Sequence, residues 1–136
     1  MAAATADRDA ERSDGIIKSY KVKGSTTIYK DTMVSISGGY LVPAANTSGY
    51  YLVGVAIEKG DNSSGSDGDV EVRVVKTGEF KFNTSGASQA DVGKLVYVVD
   101  DQTVSTSDPG NSVKAGYIQE FIDSSTVRVR IDQVVH

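Results

Sequence analysis

Two segments of strict alternation constrain this chain more than anything else in it. Val70, Val72 and Val74 alternate with Glu71 and Arg73, and Val127, Val129 and Ile131 alternate with Arg128 and Arg130. Successive side chains on an extended strand point to opposite faces, so each segment has one dry side and one wet side. That is the pattern of an antiparallel strand covered on one face only. Across a loop, each segment is preceded by a stretch that opens on glycine. These stretches are Gly54-Val55-Ala56-Ile57 and Gly116-Tyr117-Ile118-Gln119. The chain therefore uses one hairpin-like unit twice.

The repetition extends upstream. An offset of 62 carries Gly54 onto Gly116, Met33 onto Leu95, Val34 onto Val96, Ile36 onto Val98 and Val42 onto Val104. The same offset carries the turn-forming pair Gly38-Gly39 onto Asp100-Asp101. Beyond the polar loop the alternating strands align at an offset of 57, Val70 onto Val127, which makes the first loop five residues longer. Two β-meander repeats result, at 32–75 and 94–131. Duplication or convergence of short β patterns would each produce them. Two such meanders can supply the halves of a closed or nearly closed barrel, and closure removes sheet edges.

Composition agrees with an all-β chain. The 136 residues include 14 Gly and 2 Pro, and Tyr (7) outnumbers Phe (3), a balance suited to strands and tight turns. The length is that of one domain able to bury a core. No cysteine is present, which excludes disulfides and zinc–thiolate sites. The single histidine, His136, excludes any site needing two. A net charge of −4 argues against nucleic acid or an anionic membrane as partner. Arg73, Arg128 and Arg130 accordingly read as a solvated sheet surface rather than a phosphate track. No apolar run is long enough for a transmembrane helix and none near Met1 resembles a signal peptide, so synthesis in a cytoplasm is expected.

Residues 1–15 stand apart, with alanines followed by Asp7, Arg8, Asp9, Glu11, Arg12 and Asp14. They read as a flexible N-terminal arm, either idle or ordering on a partner. A single domain over 16–136 follows. Strands are expected from Ile16 to Val22, at Thr26–Tyr29, Thr32–Ser37 and Tyr40–Val42, and at Tyr50–Ile57, the most apolar and hence central one. Further strands are expected at Asp69–Val75, Glu79–Phe82, Lys94–Val99, Val113–Phe121 (also central) and Thr126–Ile131. Thr77-Gly78 is read as a turn and 59–68 as a polar loop. Many short antiparallel strands without helical periodicity indicate a small β-barrel or β-sandwich.

No catalytic constellation is present. Asp61, Asn62, Asp67 and Asp69 lie in a loop with oxygen ligands suited to Ca²⁺, but their order departs from the EF-hand pattern, and a solvated loop is the plainer reading. The serines have no base partner. Asp100-Asp101 read as a turn. Gly38-Gly39 lack the lysine and helix of a phosphate loop. Tyr40, Tyr50, Tyr51 and Tyr97 are candidates for a sugar-binding face, or for a core or partner interface. No cofactor, metal, small-molecule substrate or enzymatic activity is expected.

Five segments resemble a known family. They are GVAI (54–57), VEVRVVKTGEF (70–80), ADVGKLVYVVDD (90–101), AGYI (115–118) and TVRVRI (126–131). From about Gly15 to Ile131 the chain resembles the capsid cement, or decoration, proteins of tailed bacteriophages, once catalogued as a domain of unknown function. It departs from them in its longer acidic arm and in having Asp91-Val92 where an aromatic often precedes the glycine. The resemblance implies a small β-barrel or β-sandwich on the outer surface of the virion, a homotrimer that locks neighbouring major capsid proteins. The arm and its junction, Asp7, Arg8, Asp9, Glu11, Arg12, Asp14, Ile16 and Ile17, would then contact the capsid, adding a strand to a capsid-protein sheet. The alternative from a different class is a binding module for cell-surface carbohydrate.

Overall fold

The computed structural model describes residues 2–132. Among them are twelve strands and one 3-10 turn at Gln89–Asp91. The first seven strands are β1 Ile17–Lys21, β2 Thr26–Ile28, β3 Met33–Ser37, β4 Tyr40–Pro43, β5 Tyr51–Ala56, β6 Gly60–Asn62 and β7 Glu71–Val75. The rest are β8 Thr77–Asn83, β9 Leu95–Asp100, β10 Thr103–Ser105, β11 Lys114–Asp123 and β12 Thr126–Asp132. The fold is all-β, as expected, and no described helix is long and apolar enough to cross a membrane.

Two five-stranded sheets share one strand order. The first runs β1-β7-β5-β3-β4, and the second runs β8-β12-β11-β9-β10 and closes into a barrel where β10 meets β8 in parallel. The ends of the first sheet meet in one parallel bridge, Val22 to Leu41. Both strands expected to be central, β5 and β11, lie in the middle of their sheets. The offset of 62 applies from the start, with β1 matching β8, Tyr20 taking the place of Phe82. It also holds at the irregularities. Val34 faces Gly54 and Ser35 faces Leu52, skipping Val53, while Val96 faces Gly116 and Tyr97 faces Lys114, skipping Ala115.

Pairing corrects three details of the sequence reading. Val55 faces Val75 and Ala56 faces Val74, while Tyr117 faces Arg130 and Ile118 faces Val129. The last strands therefore align at an offset of 55, Val72 onto Val127, and the first loop is longer by seven residues rather than five. Thr77-Gly78 are not a hairpin turn. They open β8, and Lys76 alone carries the chain from β7 in one sheet to β8 in the other. Finally, 59–68 is not all loop, because Gly60–Asn62 forms β6 and pairs with β2.

Each sheet wraps apolar side chains. Val22, Val34, Leu41, Ala56, Val72 and Val74 form the first core, with Ile28 of β2 added to it. The second contains Val96, Val98, Val127, Val129, Ile131 and Phe82. Met33, Leu52 and Val55 of the first sheet belong to this second core, so the outer face of one sheet helps fill the other barrel. Three hydrogen bonds tie the same contact. Met33 N–H donates to the Asp101 carbonyl at 2.8 Å, Asn46 Nδ2 to the Val98 carbonyl at 2.8 Å, and Asn111 N–H to Asn46 Oδ1 at 2.8 Å.

The two glycines that open the repeated stretches are required by close approach. A Cβ on Gly54 would lie 2.2 Å from the Val75 carbonyl oxygen, and one on Gly116 would lie 1.9 Å from that of Arg130. Both obstacles are backbone atoms that cannot rotate away. Gly116→Ala is expected to destabilise the fold by about 2–3 kcal/mol through overpacking, read as a lower urea midpoint at unchanged slope. A midpoint equal to wild type would contradict this packing.

Candidate functional site

The arm residues are exposed and have neither strand nor helix. Asp7, Arg8, Asp9, Glu11, Arg12 and Asp14 do not converge on one site, and one local hydrogen bond runs from Glu11 N–H to Asp9 Oδ1 at 3.2 Å. Ile16 and Ile17 are the anchored end of this candidate set. The Ile16 carbonyl accepts Lys76 N–H at 2.8 Å, and Ile17 opens β1 opposite Val75. Both isoleucine side chains are more than half exposed.

The acidic loop directs its carboxylates at its own backbone and close neighbours. Asp61 Oδ1 accepts from Ser63 N–H at 3.0 Å and from Thr27 Oγ1 at 3.2 Å. Asp67 Oδ1 accepts from Gly24 N–H at 2.8 Å, and Asp69 Oδ2 from Ser66 N–H at 2.9 Å. The bonds from Ser63 and Thr27 favour the ionised form and lower the Asp61 pKa. Asn62 is buried beneath the loop, and its amide Nδ2 reaches the carbonyls of Val22, Lys23 and Ser66. Two N–H bonds serving three carbonyls make Asn62 the hub that ties this loop to the end of β1. Among the described residues, no three acidic, histidine or cysteine side chains converge as a metal site would need.

Of the four candidate tyrosines, the structure brings together two. Tyr50 and Tyr51 line an open cleft of about 300 Å³ with Gly49, Leu52, Asn111, Ser112, Val113 and Lys114. Its walls are equivalent segments, since 49–52 becomes 111–114 at the offset of 62. Part of its polar lining is already engaged, because Ser112 Oγ donates to Asp108 Oδ2 at 2.7 Å and Asn111 Nδ2 to the Asn46 carbonyl at 2.8 Å. Tyr40 and Tyr97 lie on β4 and β9 and do not line the cleft, although Tyr97 pairs with Lys114 at its border.

The wet faces of the two alternating strands carry an ion pair in the same place. Arg73 Nε lies 3.2 Å from Glu58 Oε2, and Arg128 Nε lies 3.0 Å from Glu120 Oε1. Glu58 maps to Glu120 at the offset of 62, and Arg73 to Arg128 at 55. The signal for this pair was present in sequence as a glutamate four residues after each key glycine, Gly54 to Glu58 and Gly116 to Glu120. Arg73 and Arg128 are thus wet-face residues, each paired with a glutamate close by in the fold. Asp101 is shifted the other way. Desolvation, with Asp100 beside it, raises its pKa.

No protein-family model matches the chain, and no curated protein matches it. Among solved structures, the chain is similar to the head fiber gp8.5 N base of bacteriophage phi29. The match has 18% identity and a TM-score of 0.46, and covers 88% of this chain and 99% of that one. At that level neither fold nor function is assigned from it.

Hydrogen bonds from the Arg73 side chain and backbone N–H lower the Glu58 pKa below its ordinary value of 4.5. A carboxylate with a depressed folded-state pKa stabilises above the unfolded value and loses that contribution as pH falls through the folded value. Glu58→Gln is therefore expected to be less stable than wild type at neutral pH, with the gap closing on acidification below 4.5. Urea midpoints across that range provide the check, and a gap that widens in acid would contradict it.

Proposed function

We propose that this chain is a decoration protein of a tailed-phage capsid, a non-catalytic β module that binds the outer surface of the assembled shell and stabilises contacts between major capsid proteins. The observation that carries this reading joins sequence to fold. The five segments resembling the capsid cement proteins lie on β5, β7–β8, β9, β11 and β12, strands drawn from both sheets. The resemblance therefore follows the scaffold and is not confined to a loop. An exposed, charged arm leading through exposed Ile16 into the edge strand β1, which opens on exposed Ile17, suits attachment by strand addition, in which main-chain hydrogen bonds supply affinity. Many copies on one shell, each a homotrimer as in the family resembled, would turn modest single-site affinity into firm attachment.

The carbohydrate-binding reading is favoured by one observation, the pairing of Tyr50 and Tyr51 in the open cleft. Aromatic rings beside polar groups suit a sugar face. Glycan binding that disappears in Tyr51→Ala, together with no affinity for capsids, would put this reading first.

The direct test mixes the purified protein with expanded capsids that lack it. Saturable, stoichiometric binding with raised shell stability is expected, and no binding would overturn the proposal. Deleting residues 2–14 is expected to weaken attachment by at least about tenfold, the equivalent of one to two hydrogen bonds, with the melting transition of the isolated protein unchanged. Unchanged affinity would remove the arm from the binding surface.

A further inference from the structure

The two sheets match strand for strand, yet their outer faces have different surroundings. One transverse row of the first sheet runs Ile17, Val75, Val55, Met33, each opposite the next. The same positions in the second sheet are Glu79, Arg130, Tyr117, Leu95, paired in the same order. Met33 and Val55 are 0% and 1% exposed because they pack into the core of the second barrel. Their counterparts are open. Tyr117 is 53% exposed and Leu95 only partly buried.

The other side of the contact shows the same asymmetry. Val113 belongs to the cluster that contains Met33, Leu52 and Val55, and it is 6% exposed. Its counterpart in the first sheet is Tyr51, which is 65% exposed. Asp101, whose carbonyl receives Met33 N–H, corresponds to Gly39, exposed in the β3–β4 turn. Each half of this contact therefore occurs twice in the molecule, once buried and once open.

We propose that the open halves meet between molecules. The Tyr117–Leu95 face of one chain seats on the barrel end around Gly39 and Tyr51 of a second copy, repeating between chains the contact that joins the sheets within one. A second copy is the occupant because the surface that covers this row position in the first sheet is a barrel of this same fold, and each chain exposes one unused equivalent of it. The residues suit the role. Val99, on β9 with Leu95, is also exposed, and Arg130 lies beside Tyr117. Tyrosine and arginine are favoured at interface centres, where large amphipathic side chains are desolvated at low entropic cost. The chemistry differs from the buried row as expected for a surface that must also face water before association. Because the two patches differ, the contact is head-to-tail and closes into a ring or extends as a chain. The inference rests on the internal repeat and not on capsid binding, although a closed ring of three would supply the trimer proposed above.

The chain has no cysteine, so single thiols report the contact cleanly. Tyr117→Cys and Tyr51→Cys are made at exposed positions and checked for wild-type melting. They are then co-expressed or kept separate, and treated with a short thiol–thiol crosslinker. Wild type is expected to sediment as an oligomer that grows with concentration. The co-expressed pair is expected to give covalent dimers, and each variant alone only monomer. Tyr117→Glu is expected to weaken self-association by about tenfold or more. A monomer at every concentration, an oligomer in which the pair does not crosslink, or crosslinking by one variant alone would each overturn the proposal. Capsids are absent from this experiment, so its failure is distinguishable from failure to bind a shell.

Discussion

Insertion of Met33, Leu52 and Val55 into the second barrel is the interaction on which the rest of the structure depends. These residues lie on the outer face of the first sheet, a face that antiparallel sheets commonly leave wet. Burying each is worth about 1.5–3 kcal/mol relative to leaving it exposed. Without the contact the first sheet would present an apolar patch and the second barrel would lose part of its core. The crossover makes the arrangement compact, since one residue, Lys76, links β7 to β8. Two copies of one small meander thus become a single body, although each has its own wrapped interior.

The copies diverge chiefly where the loop lengths differ. Seven extra residues before β7 allow β6 to form and pair with β2, and Ile28 is delivered into the first core. Asn62, at the end of β6, then anchors the acidic loop through three carbonyls. In the second copy the segment matching β2 is only the 3-10 turn at Gln89–Asp91, held by Ser88 N–H donating to Asp91 Oδ2 and by Lys94 pairing with Asp91. The first interior is thus completed by its own insertion, while the second draws on its neighbour. The acidic residues of this loop have a structural role, with Asp61, Asp67 and Asp69 all bonded within or beside it.

The all-β class, the duplicated unit and the dry and wet faces of β7 and β12 were legible in sequence, because period-2 alternation determines which side chains share a face. The register of β7 against β12 was not. Offsets of 57 and 55 differ by two residues and leave every valine on the same face, so alternation cannot distinguish them. Only pairing through Gly54 and Gly116 decides between them. β6 was missed because Gly60-Asp61-Asn62 carries every mark of a loop, and it is a strand only through its partner β2. Thr77-Gly78 has turn chemistry, and tertiary pairing with Asp132 and Ile131 overrides it. Of the candidate site residues, only Ile16 and Ile17 are held by the fold, because the charged arm lacks apolar groups with which to pack.

Native-state hydrogen exchange on the intact protein carrying Met33→Ala tests the shared core most directly. Met33 belongs to a strand of the first sheet but packs into the second barrel. Its truncation is therefore expected to lower amide protection in β11 and β12 as much as in β3 and β5, by the equivalent of about 2–4 kcal/mol. Loss of protection confined to the first sheet, with β11 and β12 exchanging as in wild type, would contradict the account.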